Sequence, residues 1–387
     1  MKLTIAGAYW DSQIYSGELL LFDSVGAIHR IEWRNVIDAI AEKNAAVQTA
    51  IRVAFSDSDL FYNRKVRKIL CDPHIEVPIK LQLSSLADLS MAATKTDWRE
   101  HWRTEDTPFD FLPTDTDVYY NHILAGGNEG LFSAPRSGVG AGASRPFGKR
   151  TTKHHDARIL QVRASDRYTA VAAAAGNDGL FEFAFRRDED DVLDKQRHLT
   201  KRSCSSCDWA FQSVMGWTAG SAFLASFRQE KDPNTRRPTR TFDRIVETTE
   251  MFDEPQHSSS RGGFTWGSRE KIYRISERGV EVANYLPVPP REKKGKASSP
   301  TASKLFNQCG SLELDFDATT AIATGTAPFG TVLEFDDRLV VLRSDGSVEQ
   351  FVGEPVHWRV FPRSEHYSNQ LHIIYDDRLE IISFVHD

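Results

Sequence analysis

The chain says one phrase twice. Gly127-Asn128-Glu129-Gly130-Leu131-Phe132 returns forty-nine residues later as Gly176-Asn177-Asp178-Gly179-Leu180-Phe181. Each copy follows a run of small apolar residues and precedes an alternating one, which is the pattern of a strand, a tight turn that glycine permits, and a second strand. Fainter versions of the same signal occur at Ser16 to Leu19, Ala219 to Phe223, Gly267 to Tyr273, Gly330 to Leu333 and Asn369 to Leu371. A second echo closes the chain: Phe335-Asp336-Asp337-Arg338-Leu339 is matched forty residues on by Tyr375-Asp376-Asp377-Arg378-Leu379, and Asp-Asp-Arg reads as a hairpin turn.

A sheet-sized unit recurring every roughly 40 to 60 residues points to antiparallel sheets set around a ring, an all-β β-propeller. Seven four-stranded blades is the count that fits, with six and eight its neighbours. Residues 1–387 read as a single propeller domain, because blades share one continuous core. Both ends are expected to close it. The strand-like run from Arg378 to Val385 lacks an outer neighbour, and Leu3 to Tyr9 supplies one, which removes two open edges. One region breaks the pattern: Val36, Ile37, Ile40, Val47 and Ile51 suit a short helical insertion near 35–51, capped by Asn35. After it, Val53 to Leu83 reads as a return to strands, notably Ile75 to Leu83, with Pro73 and Pro78 making them edge-like. That stretch is the expected second blade. In this architecture the chain resembles the WD40-like β-propeller superfamily. The Gly-His and Trp-Asp dipeptides of WD40 repeats proper do not recur, and the resemblance implies a fold without naming a site residue.

Composition narrows the partners little. A hydrophobic share of 40% and an aromatic share of 11% suffice for a core, and a net charge of -6 favours solubility without selecting a ligand. Four cysteines are too few for a disulfide framework, and Cys204-Ser205-Ser206-Cys207 is half a zinc site whose other half has no candidate at matching spacing. His154 and His155 are adjacent, so on a strand they point to opposite faces. Gly142 to Lys149 departs from a phosphate-binding loop, since five residues separate its glycines and Arg150 stands where Ser or Thr belongs. No metal or cofactor is expected. No apolar run of about 18 residues exists to span a membrane, and a cytoplasmic protein is the default expectation.

Function is expected in the loops, since propellers carry variable connections on a shared scaffold. Three segments read as flexible insertions: 137–153 with Arg145, Lys149 and Arg150, 229–240 with Arg236 and Arg237, and 287–303 with Arg291, Lys293, Lys294 and Lys296. If each blade runs outward as strands a to d, the first two follow strand c and share one rim. Asp188-Glu189-Asp190-Asp191 occupies the corresponding loop of the blade between them, so the rim is mixed in sign and poorly suited to tracking phosphates. Aligning Leu131, Leu180, Phe223 and Ile272 places Ala125, Ala174, Trp217 and Trp266 in one column, where the two indoles either wall a cleft or fill space between blades. The candidate partner-binding residues are therefore Arg145, Lys149, Arg150, Trp217, Arg236, Arg237 and Trp266. Three functions follow in order of preference: a non-catalytic scaffold or adaptor holding a protein partner on its rim, a hydrolase or lyase with carboxylates or histidines gathered at a central channel, and a nucleic-acid binder using the basic loops. A channel lined by apolar side chains alone would remove the second.

Overall fold

Gly130 and Gly179, the fourth residues of the repeated phrase, show why it was repeated. Both have left-handed backbone, φ +127° and +94°, and a Cβ on either would lie 2.0 Å from the carbonyl oxygen of the strand passing outside it, at His155 and Thr200. Only glycine allows that approach. The same hairpin is the unit of seven antiparallel sheets. The computed structural model describes residues 1–56, 68–69, 72–87, 90–136, 147, 150–165, 167–187, 192–218, 221–231, 238–253, 264–276, 279–286, 305–343 and 346–384.

In blades 1 to 6, strands a to d run outward from the axis in chain order. Blade 1 comprises Asp11–Tyr15, Glu18–Phe22, Ala27–Glu32 and Trp102–Asp106; blade 2 comprises Asp115–Tyr119, His122–Gly127, Gly130–Pro135 and Thr152–His155. Blade 3 follows with Gln161–Ala164, Ala170–Ala174, Leu180–Phe185 and Leu193–Thr200, and blade 4 with Ser206–Ala210, Ser213–Thr218, Ser221–Lys231 and Pro238–Glu247. Thr265–Ser268, Lys271–Ser276, Gly279–Tyr285 and Phe306–Leu312 make blade 5; Ala323–Ala327, Gly330–Glu334, Arg338–Arg343 and Val348–Val352 make blade 6. Blade 7 takes His357–Val360, Gln370–Tyr375 and Arg378–Ser383 from the end of the chain and Lys2–Ala6 from its beginning. Closure is as expected: Leu3 lies opposite Ile381 and Ile5 opposite Leu379 in an antiparallel pair. All four residues are fully buried, so the join is sealed by apolar side chains as well as by the backbone ladder.

Among the described residues between Val53 and Leu83 the expected strands of a second blade do not occur, and residues 53–55 and 73–83 are helical. Helix α1 (Trp33–Lys43), a 3-10 turn (Ala45–Val47), α2 (Gln48–Phe55) and α3 (Pro73–Ala87) all lie inside the connection between strands c and d of blade 1. The period was misread in α3. Ile79, Leu83 and Leu86 recur at helical spacing and face the core, and Pro73 stands at the first helical position, where its missing N–H costs nothing. Pro78 lies inside the helix rather than on a strand edge. Asn35 is no cap either, because α1 starts two residues earlier and Asn35 bonds the Glu32 carboxylate at 2.7 Å.

The insertion is clasped to blade 7. The Ala54 and Phe55 carbonyls at the end of α2 have no helical partners, and they accept from Asn369 Nδ2 (2.9 Å), Ser383 Oγ (2.9 Å), Gln370 Nε2 (2.8 Å) and Trp33 Nε1 (2.7 Å). Strand Ser90–Ala93 then lies parallel to Lys2–Ala6 and covers the outer edge of the closing blade.

Candidate functional site, an ionic central channel

Strand a of each blade is hydrogen-bonded on its outer side alone, so its inner edge needs partners for its N–H groups. Side chains of the preceding blade supply them. Val162 N donates to Asp115 Oδ2 and Ala164 N to Asp117 Oδ2, each at 2.8 Å, and Cys207 N donates to Gln161 Oε1 at 2.8 Å. Gln13 Nε2 reaches the Thr116 carbonyl at 2.9 Å. These side chains recur two residues apart on the inner strands: Asp11 and Gln13, Asp115 and Asp117, Gln161 and Arg163, His357 and Arg359. A spacing of two keeps both members on one strand face.

The charges among them are paired across blades 7, 1, 2 and 3. Arg359 grips Asp11 through Nε and through Nη2 (2.8 Å to Oδ2), and the same Nη2 reaches Asp115 Oδ1 at 2.6 Å. Arg163 Nη1 holds the other Asp115 oxygen at 2.7 Å, and Arg363 Nη2 bonds Asp117. Asp11 also accepts from Ser12 N (2.7 Å) and Thr116 Oγ1 (2.6 Å). Burial alone would raise the Asp115 carboxyl, but Arg163, Arg359 and the Val162 N–H outweigh it and hold the group below its usual range. Burial likewise opposes the charge on Arg359, and Asp11 with Asp115 more than restores it. The histidines behave in the opposite sense. Burial and the Arg359 charge push His357 down to about 4 and the fully buried His372, whose Nδ1 lies 3.0 Å from Ser12 Oγ, down to about 3.

Asp11, Asp115 and His357 bring potential metal-ligand atoms within 4.8 Å of one another. Arg359 already takes both carboxylates, so a cation there must displace a guanidinium that neutralises the same two charges. The donor set fits an arginine better than an ion.

The channel holds a cavity of about 1380 Å³ reached by all seven inner strands and extending to the a–b turns. Its wall is asymmetric. The inner strands of blades 7, 2, 3 and 4, with the a–b connection of blade 7, present Arg359, Arg363, Asp117, Arg163 and Asp208, whereas the inner strands of blades 5 and 6 present Gly267, Ser268, Thr324, Gly325 and Thr326. The charged wall residues of those two blades, Arg269, Glu270, Lys271, Glu334 and Arg343, are set on their a–b turns and strands b and c. Asp208 and Glu334 differ from Asp115 in the opposite direction: burial raises the pKa of both, and neither the Arg163 charge near Asp208 nor the Trp358 hydrogen bond to Glu334 fully offsets it.

The sequence candidates are dispersed. Trp217 lies on strand b of blade 4, buried, with Nε1 donating to the Thr265 carbonyl at 2.6 Å and its ring stacked on Phe264. Trp266 lies on strand a of blade 5, also buried, stacked on Tyr273 and forming part of the cavity wall. They are neighbours across the blade 4–5 boundary but belong to different strand columns. The alignment slipped because the turn matched in blade 5 joins strands a and b, while the repeated phrase joins b and c. Arg150 is exposed just before strand d of blade 2; Arg145, Lys149, Arg236 and Arg237 lie outside the described residues. All three basic segments span c–d connections, the first running into strand d of blade 2 and the second including the paired ends of strands c and d of blade 4, Gln229 opposite Arg240. Asp188 to Asp191 lies between strands c and d of blade 3. Other basic residues at these connections are engaged within the molecule: Lys153 pairs with Asp156 at 2.7 Å, and Arg240 bonds Glu182 of blade 3 and covers the Phe227 ring. Cys204 and Cys207 are buried free thiols, the former pushed up to about 12 by burial, and the Cys204 backbone bridges to Gly176. The channel pattern itself carried one legible signal, polar residues two apart at the start of strands otherwise flanked by apolar ones.

Ring, closure and channel define a seven-bladed β-propeller. Among solved structures it is similar to the Neurospora crassa Pan2 WD40 domain, at 9% identity and a TM-score of 0.46 over 98% of this chain and 91% of that one. It is also similar to the WD40 β-propeller domain of Doa1, at 11% identity and 0.42 over 73% and 83%, and to the AfRom2 CNH domain, at 10% and 0.35 over 70% and 94%. No family model and no curated protein matches the sequence. Such identities leave no channel residue to be carried across from these structures. No helix among the described residues is long and apolar enough to cross a membrane.

Proposed function

We propose that this chain is a non-catalytic propeller scaffold that holds a protein partner on the face formed by its a–b and c–d connections. The observation that carries the reading is the mutual pairing of the channel charges. General acid–base catalysis needs a group poised near the working pH and within reach of a substrate. Asp11, Asp115 and Asp117 are instead bound to guanidiniums, and His357 and His372 are held neutral. Such a network locks blades together, and it leaves the long, charged c–d connections of blades 2 to 5 as the surface on which propellers vary.

Affinity capture from native cells is the test, with recovery of a stoichiometric protein partner expected at gentle salt. Reversing Arg145, Lys149, Arg150, Arg236 and Arg237 to glutamate should reduce that recovery by about ten-fold or more, the size of change that follows from losing about 1.4 kcal/mol. Recovery of no partner by the wild type would overturn the reading. A second reading, a hydrolase or lyase, is favoured by Asp208, an inner-strand acid of the cavity wall whose pKa burial raises, as it also raises that of Glu334 on the same wall. Turnover of any substrate that disappears in Asp208→Asn would establish it in place of the scaffold.

A further inference from the structure

Asp208 stands apart from the channel network. It forms part of the cavity wall, accepts one hydrogen bond, from Trp209 N at 2.7 Å, and has no ion-pair partner among the described residues. Two guanidiniums have the complementary deficit. Arg163 is anchored to Asp115 and Arg363 to Asp117, each through one terminal nitrogen; their side chains are 24% and 27% exposed, and both residues line the same cavity. Arg363 Nη1 has no acceptor. Both positive charges act on Asp208, so the three groups form one electrostatic neighbourhood. The small-residue wall at Gly267 and Gly325 belongs to the same cavity, and Thr326 on it has a hydroxyl with no hydrogen-bond partner.

A carboxylate withdrawn from bulk water without a partner is costly, and so is a guanidinium N–H without an acceptor. A ligand that is only an anion would satisfy the arginines but face Asp208 and Asp117. One that is only a cation would satisfy Asp208 but face Arg163 and Arg363. A ligand carrying both charges meets both needs and leaves the balance of the channel unchanged. We propose that the channel binds a small zwitterion of the amino-acid type, its ammonium on Asp208 and its carboxylate on Arg363 and Arg163. The carboxylates of Asp115 and Asp117 hold the guanidiniums in place for this, and Tyr119, over which Arg363 lies at 5.5 Å, and Trp209 offer flat apolar surface to the body of the ligand.

Calorimetry on the full chain tests this with L-phenylalanine and 6-aminohexanoate as zwitterions of short and long charge separation, and with phenethylamine and 3-phenylpropionate as the two half-ligands. At least one zwitterion should bind about ten-fold or more tightly than either half-ligand, and Asp208→Asn and Arg363→Gln should each weaken it about ten-fold or more. Asp208→Asn keeps an acceptor for Trp209 N, so its folding is expected to be intact, and an unchanged melting temperature checks that. Should Arg363→Gln fail to fold, Asp208→Asn alone decides. No binding of either zwitterion at millimolar concentration, equal binding of a half-ligand, or unaltered binding by Asp208→Asn would overturn the proposal. The outcome is independent of partner capture: a zwitterion site can fail while the scaffold reading stands, and the converse.

Discussion

At the scale of single residues, the channel separates groups that hold the ring from an inner-strand acid, Asp208, that does not. Arg359 binds two carboxylates on two blades, so its loss leaves both Asp11 and Asp115 short of a counter-charge in a buried site. Arg359→Ala is expected to cost about 3 to 5 kcal/mol of unfolding free energy, measured in urea, as for other buried pairs broken from one side. A cost under about 1 kcal/mol would show that water replaces the guanidinium there. His372 makes a prediction in pH. Its pKa is near 6.5 when unfolded and about 3 when folded, so below 6.5 the unfolded chain takes up a proton that the folded one refuses. The stability it contributes is complete above about pH 6.5 and falls as the pH drops toward about 3, by at most about 1.4 kcal/mol per unit. Unfolding curves at pH 7, 5.5 and 4.5 should therefore be less pH-dependent in His372→Gln than in the wild type. Equal slopes would mean that His372 is not the group being titrated. None of these roles was legible beforehand. Asp11, Asp115 and Arg359 are separated by up to 348 positions in the chain, and no local pattern links a carboxylate to a guanidinium that distant.

At the scale of elements, legibility followed local geometry. Hairpins of blades 2 and 3 were readable because a two-residue turn between short strands demands Gly at a fixed place, as at Gly130 and Gly179. Helix α3 was not, because Ile75, Val77, Ile79, Leu81 and Leu83 alternate as a strand would, while Ile79, Leu83 and Leu86 also satisfy a helical face. Two periods were present, and packing against α2 and the blade 1–7 core selected one. The Trp217/Trp266 pairing failed for a related reason, since a–b and b–c turns look alike in residue type and differ only in which strand they follow. The clasp on α2 is testable at this scale. Asn369→Ala removes one amide that bonds both the Ala54 carbonyl and Ser383 Oγ, and should cost about 1 to 3 kcal/mol, seen as a lower urea midpoint with an unchanged slope. An unchanged midpoint would show that Ser383 and Gln370 hold the insertion without it.

For the whole molecule, closure is the property on which the rest depends. Leu3 and Ile5 are fully buried in the strand that joins the first residues to the last blade. The double variant Leu3→Asp/Ile5→Asp should release that strand, expose the edge of Arg378–Ser383 and its apolar face, and elute as aggregate in size-exclusion chromatography with light scattering. A monomer of normal melting temperature would show that the ring closes without the strand. Blade count and the joining of the two ends were readable along the chain, because hairpin turns and alternating strands are short-range consequences of backbone sterics and of burying one face. The helical identity of α3, the convergence of seven inner strands on an ionic channel and the isolation of Asp208 within it were not. They arise from contacts between residues hundreds of positions apart, where burial and opposite charge act through space and leave no mark on the order of neighbouring side chains.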